Sequence, residues 1–300
     1  MHNNSGLEVE QLTYQTRREE LLHRLGHKQI LHGITFQLEA SRVVGLVGQI
    51  GAGKTTLLHC LAGLRPVLSG RATLDGQPLR RGDLALVDQK AALPQELTIA
   101  DLGHLCEGYN AEFDQALFMK LTERFDLATN VRVKRVSAGQ RKVIAIAAAL
   151  ARHARVLLLD EPLASLDPVS RRAIMGEVLA TAHEDGTTVL LSSHLVGDIE
   201  RDCDWLLILD RGYLLVSEAI DNLIDRHVYL NGTPDEHAIL VTNGGGRSLV
   251  RCNGPRDDGR EHPSLEEIVI GYLDGAQRGQ SYDVPPPILE SARTNKGANT

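Results

Sequence analysis

Gly48, Gln49, Ile50, Gly51, Ala52, Gly53, Lys54 and Thr55 follow the pattern G-x-x-x-x-G-K-[ST]. Glycines at these places let successive backbone N–H groups turn inward as a cradle for an anion, and a helix leaving the loop adds the positive end of its dipole. In this pattern the lysine reaches the β- and γ-phosphates of a nucleotide, and the next hydroxyl, Thr55, ligates Mg²⁺. Thr56 opens the helix behind the loop. A second group closes the apolar run Val156-Leu157-Leu158-Leu159 with two acids, Asp160 and Glu161. At the carboxyl end of a strand, Asp160 is placed to hold Mg²⁺ directly or through water, and Glu161 to polarise an attacking water as a general base. Each group has a plainer reading alone, as a glycine-rich turn and as exposed acids before Pro162. Together they form a site for hydrolysing a phosphoanhydride.

Both groups need strands to present them. Val43–Val47 reads as a buried strand feeding the loop, and Thr56–Leu64 as the helix leaving it. Earlier strands are expected over Leu7–Thr13 and Gln29–Leu38, with a hairpin turn at Asp75-Gly76. Leu84–Val87, Val156–Leu159 and Thr187–Ser192 are further short buried strands, and residues 98–153 are mostly helical in pattern. Arg171–His183 fits a helix, and Asp204–Leu209 with Tyr213–Ser217 fits a hairpin around Asp210-Arg211-Gly212. Strands alternating with helices imply an α/β fold with a mostly parallel sheet, and the early antiparallel material makes it mixed at one side. Past residue 220 the pattern changes to two short strand-like stretches about Asn243-Gly244-Gly245-Gly246. A helix over Ser264–Leu273 follows, with Glu267 completing a capping box. The expected domains are 1–220, including a helical part at about 90–153, then a small accessory region at 221–275 and a disordered tail at 276–300 carrying Pro285-Pro286-Pro287.

Composition narrows the partners. The 300 residues carry a net charge of −7, and only 4% are aromatic. An acidic chain poor in rings argues against nucleic acid as a partner. The four cysteines are spread apart without a C-x-x-C pair, which fits free thiols in a reducing compartment. No apolar run approaches the roughly 20 residues that span a bilayer, and the first residues lack the features of a secretory signal. Any membrane role needs a second chain to do the spanning.

In order, these residues resemble the nucleotide-binding subunits of ABC transporters over roughly residues 7–220. Val136-Ser137-Ala138-Gly139-Gln140 is similar to that family's signature sequence, Leu-Ser-Gly-Gly-Gln. Gln89 is similar to the Q-loop glutamine, Ser165-Leu166-Asp167 to the D-loop, and His194 to the switch histidine. The resemblance implies a P-loop NTPase core with an antiparallel β subdomain and a helical subdomain, here with a small C-terminal α+β extension. It implies ATP and Mg²⁺ as cofactors, with Thr55, Gln89 and Asp160 at the metal. Catalysis would fall to Glu161, His194 and Gln89. Ser137, Gly139 and Gln140 would cap the γ-phosphate held by a second subunit in a head-to-tail dimer. It further implies a separate multi-span permease, pairing for export in preference to import, and a peripheral place on the cytoplasmic face of the cell membrane. A soluble ATPase with the same core is the alternative; such members usually carry two cores or long coiled-coil insertions. The chain departs from the family at Val136, Ala138 and Ile50, where Leu, Gly and a polar residue are usual. It departs again at Leu25, where the adenine-stacking tyrosine is expected; Tyr14 is the nearest ring that could fold back to replace it.

Overall fold

Alternating apolar residues start the chain as paired strands. The computed structural model describes residues 6–19, 25–231, 239–244, 247–252 and 262–279. β1 (Gly6–Glu19) and β2 (Leu25–Glu39) form an antiparallel ladder from Gly6 opposite Glu39 to Glu19 opposite Leu25. The charged stretch after Tyr14, which looks like an insertion in the sequence, therefore lengthens this hairpin. β3 (Val43–Val47) is buried throughout and leads into α1 (Lys54–Leu61), which stops at Leu61, not at Leu64. β4 (Ser69–Leu74) and β5 (Gln77–Pro78) follow, turning at Asp75-Gly76 as expected. β6 (Leu84–Val87) precedes a helical stretch of α2 (Ile99–Tyr109), α3 (Gln115–Arg124) and α4 (Ala138–Leu150).

β7 (Val156–Asp160), α5 (Pro168–Asp185) and β8 (Thr188–Ser192) come next, then α6 (Val196–Asp202), β9 (Trp205–Asp210) and β10 (Tyr213–Ala219). The chain continues through α7 (Ile220–Arg226), β11 (His227–Asn231), β12 (Ile239–Gly244), β13 (Arg247–Arg251) and α8 (Leu265–Gln277). The six-stranded central sheet has the order β10-β9-β3-β8-β7-β6. Its strands are parallel except β10, which returns antiparallel along β9. A four-stranded sheet, β2-β1-β4-β5, and a three-stranded sheet, β11-β13-β12, complete it. Strands buried on both faces read as unbroken apolar runs, and β3, β7 and β8 are buried along their whole length.

Two cores flank the central sheet. One lies against the β1–β2 layer and holds Leu7, Phe36, Leu46, Leu57 and Leu158. The other lies under the helices and reaches from Phe118 through Ile144 and Leu191 to Tyr272 of α8. α8 begins as expected, with Ser264 and Glu267 closing a capping box, but continues past Leu273 to Gln277. Elements α6, α7 and β11 had no counterpart in the sequence reading. The Gly245-Gly246 part of the expected turn, and residues 280–300 of the expected tail, lie outside the described residues.

Candidate functional site

The phosphate loop bridges β3 and α1. No side chain caps α1, whose N-cap is Gly53, so the first turn offers its N–H groups to an anion. Close packing from behind shapes the loop. A Cβ on Gly48 would overlap the Leu209 carbonyl at the end of β9, so only glycine fits. The amide of Gly212 donates to the Ala52 carbonyl at 2.8 Å, bracing the loop with the β9–β10 turn. Ala52 is buried, Ile50 is fully exposed at the tip, and Gly51 has open space around it. Lys54 Nζ donates to the carbonyls of Gly48 at 2.7 Å and Gln49 at 3.3 Å. Burial pushes the Lys54 pKa down, and the charges of Glu161 and Asp160 oppose that shift. Thr56 lies in the first turn of α1, behind Lys54 and Thr55.

Parallel pairing of β7 with β8 puts Asp160 opposite Ser192. That register builds the acidic half of the site. Asp160 is 1% exposed. Its Oδ2 accepts from the Thr55 hydroxyl at 2.7 Å, and its Oδ1 accepts from the Ser192 hydroxyl at 2.7 Å. Ser192 Oγ in turn accepts from the Glu161 amide at 2.9 Å. Glu161 has φ 47°, a left-handed conformation that a residue with a side chain seldom takes. Its Oε2 lies 2.7 Å from His194 Nδ1. With Nδ1 protonated, the ring donates to the carboxylate and holds it in place.

The loop and both acids are thus brought together with His194. Ser192, which the sequence marks only as the end of a strand before Ser193, joins the two acids. Gln89 stands apart. Its side chain is exposed and takes no part in the hydrogen bonds joining Thr55, Asp160, Ser192, Glu161 and His194, while its carbonyl accepts from Lys142 Nζ at 2.8 Å. Ser137, Gly139 and Gln140 form the N-terminus of α4. The Ser137 hydroxyl accepts from the Gln140 amide at 3.1 Å, and Gln140 Oε1 accepts from the Ser137 amide at 2.9 Å. A Cβ on Gly139 would come 2.9 Å from the Ser165 carbonyl, so this glycine allows a close approach to the loop before α5. Tyr14 does not fold back over the phosphate loop. It is buried in the β1–β2 core with the Arg65 guanidinium 5.4 Å from its ring centre.

Thr55 and Asp160 are hard oxygen donors side by side, which suits Mg²⁺. No group of three or more His, Cys, Asp or Glu side chains that could hold a metal ion occurs among the described residues.

The fold and this site define a phosphate-binding ATPase of the strand–loop–helix type. Residues 31–164 match the family described as ABC transporter. The Nod factor export ATP-binding protein I of Burkholderia lata is 31% identical over 217 residues, covering 68% of this chain and 71% of that protein. The solved ATP-binding subunit of an ABC transporter superposes with a TM-score of 0.64 at 24% identity, covering 73% of this chain and 92% of the other. An ATP-binding cassette solved as a post-hydrolysis dimer with ADP and Pi gives 0.63 at 21% identity, covering 71% and 98%. The chain belongs to the ABC transporter family, as an ATP-binding subunit with ATPase activity.

Proposed function

We propose that two copies of this subunit, or one copy with a related one, close head to tail around ATP and so drive a separate multi-span permease. The observation that carries the proposal is the joined set Thr55–Asp160–Ser192–Glu161–His194 beside the phosphate loop. Thr55 and Asp160 would hold Mg²⁺, which supplies positive charge at the phosphate oxygens. The loop amides and Lys54 bind and orient the β- and γ-phosphates. Glu161 takes a proton from the attacking water as its oxygen bonds to the γ-phosphorus, and the bond to the β–γ bridging oxygen breaks. His194 keeps the Glu161 carboxylate aimed at that water.

Ser137 and Gln140 bond to each other, and with Gly139 they open α4. Their place at an exposed helix N-terminus supports a role on the opposing subunit's γ-phosphate. Gln89 would sense the nucleotide site from its exposed turn. A groove between the β6–Leu93 segment and α2 and α4, lined by Asp88, Ala91, Leu93, Cys106, Ala148 and Arg152, supports permease docking beside it. Export is favoured because relatives such as the Burkholderia lata protein are named for export. With no helix among the described residues long and apolar enough to cross a membrane, the subunit would sit on the cytoplasmic face of the membrane through its permease.

Phosphate release from Mg²⁺-ATP tests the catalytic assignment. Glu161→Gln and Lys54→Ala should each lose turnover, but only Lys54→Ala should also lose nucleotide binding. Full turnover in Glu161→Gln would remove Glu161 as the base.

A further inference from the structure

Asp198 is a buried acid that the mechanism above does not use. It lies in the first turn of α6, just beyond His194, and its side chain is only 11% exposed. One oxygen, Oδ1, is 3.4 Å from an Arg201 guanidinium that also binds Asp202 at 2.6 Å. The other, Oδ2, is buried without a hydrogen-bond partner. Arg171 Nη1 lies 3.7 Å from it. Arg171, in the first turn of α5, already donates from Nε to the Leu166 carbonyl at 3.0 Å. One guanidinium therefore faces the D-loop backbone on one edge and Asp198 on the other. Glu161, Arg171, His194 and Asp198 all line a single small pocket.

A plain staple between two helices would account for an ion pair. It does not account for a buried carboxylate oxygen left just outside hydrogen-bonding distance, because such an oxygen is costly to desolvate and gains most from a charge-assisted bond. A shift of about 1 Å between α5 and α6 would turn the present contact into such a bond. The segment between His194 and Asp198 is held short. The Leu195 amide donates to Ser193 Oγ at 3.0 Å, and the Asp198 amide to the Leu195 carbonyl at 3.3 Å. A displacement of Asp198 is thus passed to the turn that carries His194. At the D-loop end, Ser165 takes the left-handed conformation, with φ 69°.

We infer that Arg171 and Asp198 are a positioning pair that couples the D-loop at Leu166 to the turn bearing His194, and so sets the His194–Glu161 hydrogen bond. The inference rests on the catalytic reading of Glu161 and His194. Neither residue of the pair touches substrate.

The test compares Asp198→Asn, Arg171→Gln and the double variant in steady-state ATP hydrolysis, with melting curves and fluorescent-nucleotide binding for each. Each single variant should lose about tenfold in kcat. KM for ATP and nucleotide affinity should stay within about twofold, and melting should remain cooperative. The double variant should be no slower than the slower single, because both break one connection. Turnover within about twofold of the parent in both singles would overturn the coupling. So would a rise in KM matching the fall in kcat, or losses that multiply in the double variant. Glu161→Gln run alongside separates the two readings. If it is inactive while the pair's variants are unaffected, only the coupling falls; if it too turns over normally, the catalytic reading falls with it.

Discussion

Glu161 has a left-handed backbone whose amide is held by Ser192 Oγ, and a carboxylate held by His194 at Oε2. Such a conformation costs on the order of 1–3 kcal/mol and persists where surrounding contacts over-determine it, as they do at many active sites. Replacing only its charge should leave this frame intact. Glu161→Gln is expected to slow phosphate release by about 10² to 10⁴, with nucleotide affinity nearly unchanged by fluorescence titration. Ser192→Ala would leave the Glu161 amide without its acceptor and Asp160 Oδ1 without its donor. Equilibrium urea unfolding should show a loss of about 1–3 kcal/mol, and turnover should fall with it. The phosphate loop and Asp160-Glu161 were legible in the sequence because residue type and spacing fix their chemistry. Ser192 was not, because its meaning comes from a strand pairing that brings together residues far apart in the chain.

At the scale of the element, α4 carries two connections that a sequence reading separates poorly. Ser137 caps the helix, and an ordinary cap lost to alanine costs about 1 kcal/mol of stability. If Ser137 also meets the opposing nucleotide, Ser137→Ala should cut turnover more than tenfold, on the order of the loss from removing one charge-stabilising donor. Loss of stability with full turnover would reduce it to a cap. Further along, the buried Lys142 donates to the carbonyls of Asp88 at 2.9 Å and Gln89 at 2.8 Å. Burial pushes its pKa down, against the charges of Asp88, Asp160 and Glu161. Lys142→Met should free the Q-loop backbone, read as faster amide exchange over residues 88–93, while α1 and the phosphate loop stay protected. The strands Leu7–Thr13 and Gln29–Leu38 are legible, but their extension to Glu19 and back to Leu25 is not, because a charged stretch reads as a loop when its partner strand is unknown. The helices α6 and α7, seven residues each, are too short for the periodicity of a helix to stand out.

At the scale of the whole molecule, a buried histidine sits where the ATPase core meets the C-terminal strands. His227 is fully buried between α7 and α8, with Nδ1 on the Leu223 carbonyl and Nε2 3.0 Å from the Tyr272 hydroxyl. Burial pushes its pKa down to about 4, helped by the charges of Arg251 and Arg226. Those arginines are held by Glu218 at 2.9 Å and 2.8 Å. An unfolded histidine takes its proton near pH 6.5, while the folded one resists until about pH 4. Stability should therefore fall as pH drops through that window, by up to about 3 kcal/mol from this residue. His227→Gln should flatten that part of the urea midpoint against pH, and an unchanged slope would show that the histidine is not responsible. The sequence pattern changes near residue 220, but it does not reveal that α8 completes the core beneath α6 and β9. The proposed trans role of Ser137, Gly139 and Gln140, at the start of α4, requires two molecules. Light scattering of Glu161→Gln with and without Mg²⁺-ATP tests this most directly. The expected result is a shift from protomer to twice its mass only with ATP, abolished by Ser137→Arg; a protomer mass under saturating ATP, with binding confirmed, would contradict it.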